Sequence, residues 1–394
     1  MICSKEEYGN KDEIKPSGTL LISEKVRALR REGEKVLNFG LGDPDFDTPD
    51  HIKRAAINAI NDNLTHYSHN RGLLELRKAI AHKLLQENNI QSDPTSEIIV
   101  TPGAKHAIFC TILALIEPGD EVLFFDPAYV SYEPMIRIAG GTAVRVPLRK
   151  EDEFVLKDGM IDKFYTPRTK MFLLNTPHNP TGKVFTRREM ETIRYWAIKN
   201  KVIVLTDEIY EKIIFDDQKH FSIGSFPGMK ELTITTNGFS KSYAMTGWRL
   251  GYLAGPKKLI NKIIKVHQHC ATCTCTFSQK AGIEALKGSR ETIEPMIQEY
   301  ERRRNLVLER LVKIEGLNFI IPKGTFYFFL DISFTGLSSE EVAGRLLEEK
   351  LVAVTPGVAF GEHYDSFIRI SLTLSIAEIK EAIKRMERFF QELK

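Results

Sequence analysis

Asn237-Gly238-Phe239-Ser240-Lys241-Ser242-Tyr243-Ala244-Met245-Thr246-Gly247-Trp248-Arg249 sets one lysine among small and hydroxyl residues, with an arginine eight positions later. A lysine that forms a Schiff base needs uncrowded packing and a suppressed charge, and its pKa drops readily when it leaves water. An arginine grips a phosphate with a planar fork of donors. An amine and a phosphate grip in one segment point to pyridoxal 5'-phosphate (PLP). Taken alone, the same pair also reads as a surface lysine and a structural arginine on a loop. The flanking pattern has to separate the two.

From about residue 97, short β-rich runs alternate with helical stretches. Strands are predicted over 97–101, 121–126, 142–146, 170–175, 201–206 and 232–236, with helices over 103–114 and 187–199 between some of them. This is the pattern of an α/β domain with a mostly parallel sheet and helices on both faces. Ligands in such sheets sit beyond the carboxyl ends of the strands. Beyond residue 290 come a charged helix over 291–314, a strand over 324–330, a helix over 338–350, two short strands and a terminal helix. The expected division is a large domain of 48–289 and a smaller α+β domain built from both chain ends, 1–47 and 290–394. At 394 residues, 42% of them hydrophobic, the chain has enough material for two domains and a large core.

The charge balance excludes several classes of partner. A net charge of +3, from 55 basic and 52 acidic residues, gives no case for nucleic acid or a membrane surface. No apolar run approaches the roughly 20 residues of a membrane span, and residues 1–15 lack a signal-peptide core. A cytoplasmic protein is expected. Arg302-Arg303-Arg304 reads as the solvated face of a helix. Five cysteines in a chain of this size do not make a disulfide framework. His267, His269, Cys270, Cys273 and Cys275 crowd into nine residues, but no second ligand pair is evident elsewhere. Packing is the expected role, and no metal is expected.

Four further strand ends carry chemistry. Thr101-Pro102-Gly103-Ala104-Lys105 ends a strand and opens a helix, whose unpaired amides suit a phosphate. Asp126-Pro127-Ala128-Tyr129 ends the next strand, with an aromatic that either stacks on a flat ring or simply packs. Asn175-Thr176-Pro177-His178-Asn179-Pro180-Thr181-Gly182 is a dense turn in which Asn179 is placed to hydrogen-bond a ring oxygen. Thr206-Asp207-Glu208-Ile209-Tyr210 follows the apolar run 202–205. An acid there is costly unless paired, and a pyridinium nitrogen is a fitting partner. Tyr210 is within reach of the ring hydroxyl.

Taken in this order, these motifs resemble the aspartate/aromatic aminotransferase family, the fold type I PLP enzymes of class I/II. The resemblance rests on Gly42-Asp43-Pro44-Asp45-Phe46, Asn175 to Gly182, Asp207 to Tyr210, Ser240-Lys241 with Gly247 to Arg249, and Phe367-Ile368-Arg369-Ile370-Ser371, and it covers nearly the whole chain from about Pro16. It implies that Lys241 carries the cofactor and shuttles the proton. It implies that Asp207 pairs with the pyridine nitrogen, that Asn179 and Tyr210 bond the ring hydroxyl, and that Tyr129 stacks on the ring. Gly103, Ala104, Lys105, Ser240 and Arg249 fall at phosphate-side positions. Tyr67 matches a tyrosine sent into the neighbouring subunit, which implies a homodimer with shared active sites. Gly42 and Arg369 match the grip on the substrate α-carboxylate. Cis peptide bonds are implied before Pro127 and Pro180. One position departs from the family: serine often stands three before the lysine, where this chain has Gly238. Asn237 or water would have to replace that contact.

The implied reaction is ping-pong transamination between an L-amino acid and a 2-oxo acid. Lys15-Pro16-Ser17-Gly18-Thr19 resembles a segment that closes over substrate in bacterial aspartate aminotransferases, and Lys105 stands where that subgroup binds a second carboxylate. Lys105 is also readable as a helix-surface lysine. Residues 237–249 and Ala271-Thr272-Cys273 look equally like archaeal aromatic aminotransferases. A dicarboxylic-type enzyme with possible aromatic activity is expected. A PLP lyase or synthase on the same scaffold and an amino-acid sensor without turnover are the rivals. The sensor is disfavoured by the absence of a helix-turn-helix pattern.

Overall fold

A computed structural model of the chain describes residues 18–288 and 292–393, apart from the side chains of Thr19 and Leu20. In chain order the strands are β1 (Leu37–Asn38), β2 (Ile98–Thr101), β3 (Glu121–Asp126), β4 (Thr142–Pro147), β5 (Thr169–Asn175), β6 (Ile203–Asp207), β7 (Thr233–Gly238), β8 (Gly251–Ala254), β9 (Asn318–Phe319), β10 (Tyr327–Asp331), β11 (Val352–Ala353), β12 (Thr355–Pro356) and β13 (Phe367–Ser371). The helices are α1 (Gly18–Arg31), α2 (Asp50–Asn61), α3 (Leu74–Asn88), α4 (Ala104–Leu115), α5 (Tyr132–Ile138), α6 (Arg187–Asn200), α7 (Lys257–Ala271), α8 (Thr276–Lys287), α9 (Glu294–Leu311), α10 (Ser339–Lys350) and α11 (Ile376–Glu392).

β2 to β8 form one sheet in the order β2-β8-β7-β6-β5-β3-β4, parallel except for β8, which runs against both neighbours. Its central strands are buried over most of their length, with Lys170 near the start of β5 exposed, because helices cover both faces. Alternate side chains go to different cores. Val122, Phe124, Met171 and Leu173 pack with Ile108 of α4 and Ile260 of α7. Leu123, Phe125, Phe172 and Leu174 pack with Ile193 and Trp196 of α6. A second, antiparallel sheet of order β12-β13-β10-β9 packs on α9, α10 and α11 around Phe328, Ile370, Leu346 and Phe389. Near the start of the described chain, β1 pairs in parallel with β11. The Phe39 carbonyl then accepts from the Ser371 amide at 2.7 Å, bringing the 40–46 turn over the strand that carries Arg369. Helices α6, α10 and α11 begin at capping boxes, Thr186/Glu189, Ser338/Glu341 and Ser375/Glu378.

Two readings of the sequence need correction. β8 was not among the predicted strands: four residues that begin with glycine give too little alternation to register. The arginine run on α9 is not a solvated face. Arg302 is exposed, but Arg303 and Arg304 are buried. Arg303 pairs with Asp45 at 2.7 Å and lies over the Phe46 ring, while Arg304 pairs with Asp216 and lies over Phe215. Each charge is buried with a partner, which a one-dimensional charge count does not reveal. The peptide bonds before Pro127 and Pro180 are cis, as is the one before Pro177.

Candidate active site

The carboxyl ends of β3, β5, β6 and β7 and the turn after β1 surround a cavity of about 310 Å³. Lys241 enters it from the segment after β7, and its Nζ donates to the Gly42 carbonyl. Burial pulls its pKa down to about 8, against the opposing attraction of Asp43. At neutral pH a useful fraction of this amine is therefore uncharged and nucleophilic.

Asp207 closes β6 and is buried. Its Oδ2 accepts from the Tyr132 hydroxyl at 2.7 Å and its Oδ1 from the Ile209 amide at 3.3 Å. Burial raises its pKa to about 6 despite the Tyr132 hydrogen bond. Among the described residues no lysine, arginine or histidine forms an ion pair with it. It is an acid in want of a cation.

On one wall Gly103, at φ +89°, caps the start of α4. A Cβ on Gly103 would lie 2.6 Å from Arg249 Nη2, and one on Gly251 would lie 2.5 Å from the Ala104 nitrogen. Only glycine allows the arginine and the unpaired amides of the first turn to face each other this closely. Such a grouping suits an anion. Arg249 is held by the Thr246 carbonyl at 2.8 Å, and Ser240 and Thr246 line the same cavity. Lys105 is exposed, its Nζ 5.4 Å from the Tyr129 ring.

On β13, Arg369 is buried with its guanidinium 4.0 Å from the Tyr327 ring centroid and 4.9 Å from that of Phe360. Nη1 donates to Asn179 Oδ1 at 3.0 Å and Nη2 to the Gly40 carbonyl at 2.9 Å, while Nε is buried without a partner. Among the described residues no carboxylate pairs with it. The Asn179 amide donates to Asn175 Oδ1 at 2.8 Å, which fixes the turn. The Tyr210 and Tyr327 hydroxyls are 3.1 Å apart.

A family model for aminotransferase class I and II matches residues 34–386. The chain belongs to the class I and II aminotransferases. It is 46% identical over 361 residues to an aspartate aminotransferase of Pyrococcus abyssi, covering 91% of this chain and 92% of that one. It is 44% identical to aromatic-amino-acid aminotransferase 2 of Thermococcus litoralis, covering 92% and 93%. The structure of a Thermus thermophilus aspartate aminotransferase with maleate superimposes at a TM-score of 0.92 with 38% identity, covering 96% of this chain and 97% of that one. The fold is the PLP fold type I of these enzymes, and the family is PLP-dependent.

The aminotransferase's own residues fit that cofactor. Among the described residues Asp207 is a buried acid with no ion-pair partner, the Gly103–Arg249 cradle is closed to side chains, and Lys241 is a desolvated amine. Gly42, Ala104, Lys105, Tyr129, Asn179, Asp207, Tyr210, Ser240, Lys241, Arg249 and Arg369 all line one cavity. Gly103 stands one residue behind its wall. Tyr67 is away from the cavity of its own chain and 86% exposed. Lys15, Pro16, Ser17 and the Thr19 side chain lie outside the described residues. Asn237, one of the two replacements expected for the missing serine hydroxyl, with water the other, lies beside Gly238. Its Oδ1 accepts from the Gly238 amide at 2.7 Å and it does not line the cavity. Gly238 itself is confined: a Cβ would lie 3.1 Å from Ile209 Cδ1 and 3.2 Å from the Leu250 carbonyl oxygen.

Sequence reading missed Tyr132 and Tyr327. Tyr132 follows Tyr129 by three residues at the start of a helix, a weak signal for a buried hydroxyl. Tyr327 lies inside a predicted strand with no local mark, and the structure shows that its hydroxyl occupies the space a Cβ on Gly42 would need.

Proposed function

We propose that this aminotransferase binds PLP in the cavity and moves amino groups between aspartate or glutamate and a 2-oxo acid by a ping-pong reaction. The observation that carries this is a buried acid, Asp207, and a buried guanidinium, Arg369, each without a counter-ion in the same cavity as the desolvated Lys241. When bound, PLP supplies an electrophilic aldehyde and a ring that accepts electrons. Lys241 Nζ provides the amine and, once released, takes and returns the α-proton of the substrate. Asp207 holds positive charge at the ring nitrogen, and Tyr132 keeps its carboxylate oriented. Arg249, Ser240 and the amides of the first turn of α4 take the phosphate. Asn179 and Tyr210 serve the ring hydroxyl, and Tyr129 covers one ring face. Arg369 and Gly42 receive the α-carboxylate, with Lys105 at the mouth for a second one.

Two subunits share the sites in this reading, with Tyr67 reaching the partner's phosphate. The protein works in the cytoplasm, and the chain divides into 48–289 and the paired ends 1–47 and 290–394. A second substrate reading has support in the Thermococcus litoralis relative and in the apolar lining from Leu41 and Ile108, which suits an aromatic side chain.

The test is a half-reaction. Holoenzyme is mixed with aspartate, glutamate, phenylalanine or tyrosine, and the cofactor spectrum is followed. Conversion to the amine form with the dicarboxylic acids, faster than with the aromatics, is expected. The reverse order would move the assignment to aromatic substrates, and a return to the aldehyde form with products released would indicate a lyase. Lys241→Ala should abolish conversion, and turnover in that variant would overturn the role given to Lys241.

A further inference from the structure

Helices α4 and α7 pack side by side against the large sheet, with Ile108 and Ile112 meeting Ile260 and Ile263. Within that apolar contact lies a polar cluster outside the cavity. His106 Nε2 is 3.0 Å from His267 Nδ1 and 3.2 Å from the Cys110 thiol. These three ligand atoms lie within 4.8 Å of one another, with Cys110 and His267 buried and His106 half-buried. Cys270, three residues along α7 from His267, interacts with the Cys110 thiol from an exposed position and stands outside this group of three.

Hydrogen bonding is one way to hold this group. An imidazole Nε2 has either one in-plane lone pair or one proton. When present, the proton is shared between His267 Nδ1 and the Cys110 sulfur. The same three ligand atoms also lie close enough to share one cation. We propose that His106, Cys110 and His267 bind one zinc-class divalent cation per chain, with Cys270 turning in from the surface as fourth ligand. The ligand types are those of a His2Cys2 tetrahedral site, and zinc at about 2.0–2.1 Å from nitrogen and 2.3 Å from sulfur separates such ligands by about 3.5 Å. His106, Cys110 and His267 therefore have to open by only a few tenths of an ångström, while Cys270 has to turn inward. Burial holds both imidazoles below their usual pKa, in the uncharged form that a metal takes. The Cys110 thiol has to give up its proton on binding, as coordinating thiols do.

The pairing was hidden in the sequence. His267 and Cys270 belong to the cysteine-rich run, but their partners lie on α4 as His106 and Cys110, a His-x3-Cys pair that a helix turns to one face. Lys105 precedes His106 directly, so a bound ion would tie α7 to the helix whose first turn faces Arg249.

The test uses full-length holoenzyme, dialysed against micromolar zinc or cobalt(II) and then against metal-free buffer. One equivalent per chain by elemental analysis is expected, as are tetrahedral cobalt bands at wavelengths beyond the cofactor's absorption. His267→Gln and Cys110→Ser should lose the equivalent and the bands, while Cys273→Ser with Cys275→Ser should keep both. Should the core variants fail to fold, zinc-edge absorption of the wild-type chain decides: a mixed nitrogen and sulfur shell is expected. Substoichiometric metal, a shell of oxygen alone, or bands that survive in folded His267→Gln would overturn the site.

Discussion

Lys241 and Asp207 are governed by the same force with opposite results. Burial disfavours charge on both, so the lysine pKa falls to about 8 and the aspartate pKa rises to about 6. Capture of PLP by apoprotein should quicken about fivefold between pH 7 and pH 8 and nearly double again by about pH 9 before levelling off, following the neutral amine. Stopped-flow absorbance measures this, and a flat profile would contradict a lysine with that pKa. In the unfolded chain the Asp207 carboxyl titrates at its ordinary value of 3.8. The folded state holds that proton more tightly, so apoprotein loses stability as pH rises from about 4 to about 6, by about 3 kcal/mol from this group. Denaturant melts across that range should show the step, and Asp207→Asn should remove it. Arg369→Gln should lower kcat/KM for amino acids by about 10²–10³ while PLP affinity stays, because a buried charge pair is lost only in the substrate complex. Lys241 and Asp207 were legible because their chemistry lies in residue type at a strand end, and Arg369, inside β13, through the resemblance carried by its strand motif. Tyr132 and Tyr327 were not: each meets its partner across 75 and 117 positions of chain, and nothing local marks the meeting.

At the scale of elements, the site depends on how closely β8 approaches α4. Gly251 opposes Gly238 in the β7–β8 register, and a Cβ on Gly251 would strike the Gly103–Ala104 peptide. Gly251→Ala should push the first turn of α4 away from Arg249. A loss of about 1–3 kcal/mol in stability is expected from overpacking, with a weaker hold on PLP measured by equilibrium titration. Unchanged cofactor affinity would show that the cradle does not depend on this approach. The parallel strands were readable because sheets covered on both faces write long apolar runs. β8 was not, since its burial comes from neighbours on either side and its own four residues carry little pattern. The α9 arginines were misread for the related reason that a charge run does not say which of its members is paired.

At the scale of the molecule, the proposed sharing of sites makes Tyr67 a reporter of assembly. Because it is 86% exposed in the single chain, Tyr67→Phe should leave folding intact. In a shared-site dimer it should still lower PLP affinity, and sedimentation at low concentration should show subunit dissociation together with loss of cofactor. A monomer with full activity would refute the sharing. The cavity has one more property at this scale. Lys105, Lys241, Arg249 and Arg369 line it with Asp207 as the one lining acid, while the chain as a whole carries only +3. A nearly neutral particle thus has a positive throat, and anions in solution are drawn to it before any contact forms. As added salt shortens the screening length from about 30 Å to about 10 Å, encounters with phosphate-bearing and dicarboxylic molecules should slow. Turnover at saturation should stay constant, so ionic strength acts on arrival and not on the reaction that follows.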